Sequence, residues 1–192
     1  GTEFQVNTDT SGYHQGNPSV SAFSNGNFVV IWQRDDSSGS GIYGQVFAND
    51  GVKQGTGFQV NTYMENEQYD PSVATLSNGN FVVTWSSYGQ DGRSNSEVYG
   101  QIFSSNGIKQ GIEFKVNTFT SDQNNPLVAT LNNGEFLVTW NSRGKDGSRY
   151  GIYGQLFNNN GIKQGIEYKL SMDSDGHTSI STFSNNNFVM TW

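Results

Sequence analysis

Cysteine is absent from the 192 residues. A disulfide framework, a thiolate metal site and a cysteine nucleophile are therefore excluded. Charge is sparse at 14%, against about 25% for an average soluble domain. Positive charge is sparser still: 10 Lys+Arg against 17 Asp+Glu give a formal net charge of −7. There is no basic cluster, so the footprint that nucleic acids require is missing. An anionic membrane surface would repel such a chain. No apolar run approaches the ~18–20 residues of a membrane span, and no signal-peptide pattern is visible. Lack of cysteine does not argue against secretion, because a chain of this length can bury a sizeable core. Proline is limited to 3 residues, whereas glycine reaches 24 and aromatics 14%. That balance fits sheets joined by many tight turns.

An internal period organises the chain. Phe4-Gln-Val-Asn-Thr8 returns as Phe58–Thr62 and Phe114–Thr118, and in altered form as Tyr168–Met172. Asn27-Phe-Val-Val-Ile-Trp32 returns at 80–85, 135–140 and 187–192, and Tyr43-Gly-Gln-Val-Phe47 at 99–103 and 153–157. The tryptophans at 32, 85, 140 and 192 set a step of about 54 residues, in the range of tandem structural repeats. The repeats run 4–57, 58–113 and 114–167, with a partial copy at 168–192. The chain opens and stops within a motif, so a piece of a longer repeat array is expected.

Each copy predicts four strands. Strand A follows Pro18, Pro71 and Pro126 in three copies and is Thr178–Thr182 in the fourth. Strand B is the Phe-Val-Val-x-Trp phrase, strand C is Tyr-Gly-Gln-x-Phe and strand D is Phe-x-Val-Asn-Thr. Asn-Gly separates A from B, and Asp-Gly or Asn-Gly separates C from D. These dipeptides suit the positive φ of short hairpins, and Asn185-Asn186 of the fourth copy can enter the same region. Strand B is apolar on both faces, as expected where sheets stack. Gly44, Gly100 and Gly154 within strand C predict close packing by a neighbouring ring, expected to be a tryptophan. The expected fold is all-β, with four-stranded antiparallel sheets arranged as propeller blades, A innermost and D outermost. A linear array of stacked β-units is the alternative. In the propeller reading, Phe4–Thr8 is an orphan D strand, and it combines with A and B of the fourth copy into a blade lacking only strand C.

The phrases FQVNT, PSVATLSNGNFVVTW and IYGQ resemble long tandem repeats in large secreted or cell-surface, adhesin-like proteins of bacteria and protists. The resemblance covers essentially the whole chain. It implies an extracellular repetitive scaffold, sometimes accompanied by calcium-binding modules, and it transfers no catalytic residue.

Candidate chemistry is confined to the links. Asp35, Asp36, Asp91 and Asp146 lie near glycines and are the candidate Ca²⁺ ligands, although turn chemistry explains them as well. His14 and His177 read as solvated loop residues, and no zinc or Ser–His–Asp spacing is present. Tyr13, Tyr63, Tyr69, Tyr88, Phe119 and Tyr150 fall outside the strand phrases and are the candidate sugar-stacking rings. Trp32, Trp85, Trp140 and Trp192 read as repeat core. Near-identical repetition leaves no singular site, so a non-catalytic structural or adhesive scaffold is expected. Its partners would be further repeats or other copies of the chain, and unpaired edge strands would allow self-association. A multivalent lectin-like propeller is the alternative. A hydrolase would need one cleft of unlike residues, and the links are the only place for it.

Overall fold

The computed structural model describes residues 2–7, 12–143, 150–172 and 178–192. The described residues contain no helix. The first blade comprises β1 (Gln15–Ala22), β2 (Phe28–Asp36), β3 (Gly39–Phe47) and β4 (Lys53–Gln59). The second comprises β5 (Asn66–Thr75), β6 (Phe81–Tyr88), β7 (Ser96–Phe103) and β8 (Lys109–Lys115). The third comprises β9 (Gln123–Thr130), β10 (Phe136–Arg143), β11 (Tyr150–Phe157) and β12 (Lys163–Ser171). A final hairpin pairs β13 (Ser179–Thr182) with β14 (Phe188–Thr191). Within each blade, successive strands pair antiparallel.

The first strands of successive blades touch one another, while the fourth strands pair only with the third strand of their own blade. Strand A is therefore innermost and strand D outermost. Hydroxyls join the inner strands in place of a shared ladder: Ser19 Oγ accepts from Val73 N at 3.1 Å, Ser21 Oγ from Thr75 N at 3.0 Å and Ser72 Oγ from Val128 N at 3.1 Å. Two apolar clusters fill the gaps between blades. One carries Ile31 and Val29 of the first blade against Phe81, Val83 and Trp85 of the second. The other carries Val82 and Ile102 of the second against Phe136, Val138 and Trp140 of the third. Burial on both faces explains why strand B has no polar alternation. The hairpins follow the dipeptides that predict them: Gly26, Gly79 and Gly134 have φ of 84°, 84° and 88°, and Asn186 has 65°.

Several expectations need revision. The rings over Gly44, Gly100 and Gly154 belong to Phe58, Phe114 and Tyr168, not to tryptophan. A Cβ on Gly100 would stand 2.7 Å from the Phe114 ring. Strand D starts earlier than its motif, at Lys53 and Lys109, and ends at Gln59 and Lys115. The following Asn leaves the ladder to pin the link: Asn61 Oδ1 accepts from Ile42 N and Asn117 Oδ1 from Val98 N, each at 2.8 Å. Residues 2–7 form no strand, yet Phe4 packs 5.6 Å from Phe47 as Phe58 packs 5.2 Å from Phe103. Trp85 and Trp140 are core, with 0% and 1% exposure. Trp32 is only half-buried, and Trp192 is 57% exposed, because the faces they present are not sandwiched between two blades.

Candidate functional site

An antiparallel meander sends its links to alternate ends. The A–B and C–D turns gather at one end, and the B–C and D–A links gather at the other. The link end therefore holds the candidate rings and acids that lie among the described residues. It also holds the positions where the copies diverge.

Three carboxylates share one cleft of about 430 Å³ there, between the first two blades. Asp35, Glu67 and Asp70 line it with Asn17, Gln33, Ser40 and Tyr69. No other copy carries all three acids. Aligned on the strand register, Asp35 matches Tyr88 and Arg143, Glu67 matches His14 and Asp122, and Asp70 matches Asn17 and Asn125. The cleft is built by a contact that, among the described residues, the pairings show only between the first two blades, a short parallel bridge pairing Gly39 with Asn66 and Ser40 with Glu67. Gly39 has φ 144°, and a Cβ there would stand 2.5 Å from the Asn66 carbonyl oxygen, so the bridge requires glycine. Ser40 Oγ donates to Gln68 O at 2.9 Å and reinforces it.

Asp70 sits at a bulge, before Pro71, with φ 52°. Asn17 and Asn125 take the same left-handed geometry, with φ of 49° and 51°, which Asn and Asp tolerate best among non-glycine residues. Asn17 Nδ2 donates to Asp70 Oδ1 at 3.2 Å and to Gln33 Oε1 at 3.0 Å, bridging the two blades. Burial pushes the Asp70 carboxyl above the usual carboxylate range, so its neutral form persists to higher pH. The Tyr69 hydroxyl donates to Ser96 Oγ at 2.6 Å, and burial raises its phenol as well.

A second charged group lies deeper in the second blade. Glu97, at 0% exposure, stands where the other copies have Gly41 and Gly151. Lys115 Nζ lies 3.3 Å from Glu97 Oε1 and 3.2 Å from Asp91 Oδ2. Asn95 Nδ2 donates to Glu97 Oε1 at 2.9 Å, and Asn117 Nδ2 donates to its other oxygen. Burial lifts the Glu97 carboxyl above its ordinary range despite these partners. Partial burial acts on Asp91 in the same direction, but Lys115 and Arg93 outweigh it and hold its carboxyl low. Burial and the two carboxylates push the neighbouring Tyr99 phenol up to about 12. This network ties the link at 89–95 to strand β8.

The candidate calcium ligands are not brought together. Asp36 Oδ1 accepts from Ser38 N at 2.9 Å and Ser38 Oγ at 2.7 Å, closing its own turn. Asp91 is engaged by Lys115 and Arg93, Asp35 faces the cleft, and Asp146 lies outside the described residues. Among the described residues no group of three His, Cys, Asp or Glu side chains could hold a metal ion.

Of the candidate rings, Tyr69 lines the cleft. Tyr13 and Tyr88 are exposed, at 48% and 39%, and Tyr63 and Phe119 are half-buried. Tyr69, Tyr88 and the backbone of Tyr150 belong to strands β5, β6 and β11, not to links as expected. His177 lies outside the described residues. The candidate set from sequence thus contained Asp35 and Tyr69 but missed Glu67 and Asp70. Asp70 was detectable as an Asp before proline where two other copies have Asn.

No family model and no curated protein matches the chain. Solved structures do match. A family 117 glycoside hydrolase from Zobellia galactanivorans aligns with TM-score 0.66 at 12% identity, over 98% of this chain and 66% of that one. An endo-arabinase from Bacteroides thetaiotaomicron gives 0.57 at 16%, over 90% and 68%. An α-L-arabinofuranosidase from Lactobacillus brevis gives 0.60 at 13%, over 95% and 66%. The chain thus spans about two thirds of the length of these structures. Their fold is the five-bladed β-propeller, although the described strands here do not close into a ring. The inference from repetition to a non-catalytic scaffold is overturned, because hydrolases are built on this same blade. The repeat fixes the sheets and leaves the links free to differ. The chain has the all-β, propeller-type blade architecture seen in these glycoside hydrolases.

Proposed function

We propose that the link end of this chain binds a saccharide and hydrolyses a glycosidic bond in the Asp35–Glu67–Asp70 cleft. The observation that carries this reading is a singular trio of carboxylates in one cleft, drawn from positions that are not acidic together in any other copy. Glycoside hydrolysis needs two carboxyl groups in unlike environments, one neutral and one ionised. Asp70, whose carboxyl burial pushes up, serves as the general acid to the leaving oxygen. Asp35 or Glu67 supplies the second carboxyl group, as nucleophile or as base for a water molecule. Tyr69 lines the cleft where the sugar would lie, with the amides of Asn17 and Gln33 beside it to meet its hydroxyls. The fold shared with glycoside hydrolases supports the reading, and polysaccharide substrates of that kind are met outside the cell.

The test is a screen of aryl glycosides and plant and algal polysaccharides. Asp70→Asn, Asp35→Asn and Glu67→Gln are then assayed on the best substrate. Loss of a positioned general acid removes about 10²–10⁴-fold in kcat. A screen without turnover, or full activity in all three variants, would end the proposal.

A further inference from the structure

Asn-Gly dipeptides close five hairpins at the turn end, with asparagine at 25, 78, 106, 133 and 160. All of these asparagines are exposed. In each turn the glycine N–H donates to the carbonyl three residues back, at 2.9–3.2 Å. The backbones are thus alike, and the side chains are not. Asn25, Asn78 and Asn133 each hold their Oδ1 against the N–H two residues on, at 3.0–3.1 Å. Asn133 Nδ2 also donates to Glu135 Oε2 at 2.7 Å.

In the C–D turns of the second and third blades that N–H is already taken. Ser104 Oγ accepts from Ile108 N at 3.3 Å, and Asn158 Oδ1 accepts from Ile162 N at 3.0 Å. Among the described residues, the side-chain amides of Asn106 and Asn160 have no partner. The first blade has Ala48 where the others have Ser104 and Asn158. There the N–H is left to Asp50, whose Oδ1 accepts from Val52 N at 3.0 Å. The glycine of these turns is fixed by packing. Gly107 and Gly161 have φ of 79° and 78°. A Cβ would stand 2.7 Å from the Phe58 ring at Gly107 and 3.1 Å from the Phe114 ring at Gly161. Both rings come from the preceding blade, so the stacking of blades imposes the Asn-Gly dipeptide.

We propose that Asn106 and Asn160 are modification sites that deamidate spontaneously to aspartate and isoaspartate in the folded chain. The deprotonated backbone nitrogen of Gly107 attacks Asn106 Cγ. A C–N bond forms, the Cγ–Nδ2 bond breaks and ammonia leaves. Water then opens the succinimide at either carbonyl, and nothing is oxidised or reduced. Asn160 reacts with Gly161 in the same way. Ring closure requires the Asn side chain to swing over the next backbone nitrogen. At Asn25, Asn78 and Asn133 the bond to Oδ1 must break first, and one such bond corresponds to about five-fold in rate. Asp50 occupies the same turn position, so the aspartate product fits it. Two conversions add two negative charges to the formal −7. None of this depends on turnover in the Asp70 cleft.

The test holds the full chain in mildly alkaline buffer and follows each site by peptide mapping with mass spectrometry. Aspartate and isoaspartate should accumulate at Asn106 and Asn160 at least about five-fold faster than at Asn25, Asn78 and Asn133. In concentrated urea all five rates should converge, which assigns the difference to the fold and not to neighbouring residues. Ser104→Ala frees Ile108 N to hold Asn106 Oδ1. It should slow that site about five-fold and leave Asn160 unchanged. If Ser104→Ala lowers the Tm, the comparison of folded chain with urea decides. No deamidation in the folded chain, equal rates at all five sites, or a difference that persists in urea overturns the proposal. So does an unchanged Asn106 rate in a Ser104→Ala chain of normal Tm.

Discussion

The two ends of the molecule use the same strands and differ in nearly everything else. At the turn end, one geometry is repeated. Phe23, Leu76, Leu131 and Phe183 each donate their N–H four residues on, at 2.8 Å in every case. Asn25, Asn78, Asn133 and Asn185 each accept from the residue two further on, at 3.0–3.1 Å. At the link end, equivalent positions hold Asp35, Tyr88 and Arg143, or Glu67, His14 and Asp122. Repetition at one end makes sheets. Divergence at the other makes a cleft. The difference teaches that a tandem repeat constrains the β-ladders and leaves the chemistry of the links open.

The comparison can be broken first at the core that both ends share. Trp85→Ala should destabilise by about 3–5 kcal/mol, read by urea denaturation. The half-buried Trp32→Ala should cost less than half as much, and equal losses would deny that the blades are packed differently. Lys115→Met isolates the buried Glu97 and should cost about 2–3 kcal/mol near neutral pH. Glu97 is held above its ordinary range by burial, so its protonated form is the one favoured by folding. The penalty should therefore shrink as pH falls and Glu97 protonates, and a pH series of melting curves checks the sign. Gly39→Ala should cost about 1–3 kcal/mol through its clash and positive φ, and should loosen only the junction of the first two blades, read by hydrogen exchange at Ser40 and Gln68. Glu113→Gln weakens one exposed charge-assisted bond from Thr62 N and should cost less than about 1 kcal/mol.

The fold was legible because each of its devices is local. Asn-Gly dictates a hairpin, and the Trp steps count the blades. The ring above the strand C glycines was misassigned because Phe58 and Phe114 come from strand D of the same blade, and ladder register, not sequence order, brings them over the glycine. Half of the cleft was hidden for a similar reason. Asp35 and Asp70 are 35 residues apart in sequence, and contacts between the first two blades, the Gly39–Asn66 bridge and the Asn17 amide, bring them together. What was visible is that Asp70 breaks an Asn-Pro pattern, a departure that exact repetition cannot explain. The step from repetition to inert scaffold failed because it weighed what the copies share above what they do not.

Asp70→Asn tests the account most directly, with thermal melting and glycoside turnover measured on the same sample. Asn fits the left-handed bulge in two other copies, and it removes a carboxylate whose raised pKa makes its ionised form a liability. That liability is absent below the ordinary carboxylate range and grows as pH rises through the folded value. The account predicts a Tm higher by about 1–2 °C at neutral pH, no gain at pH 3, and loss of turnover. A lower Tm at neutral pH with turnover intact would contradict it.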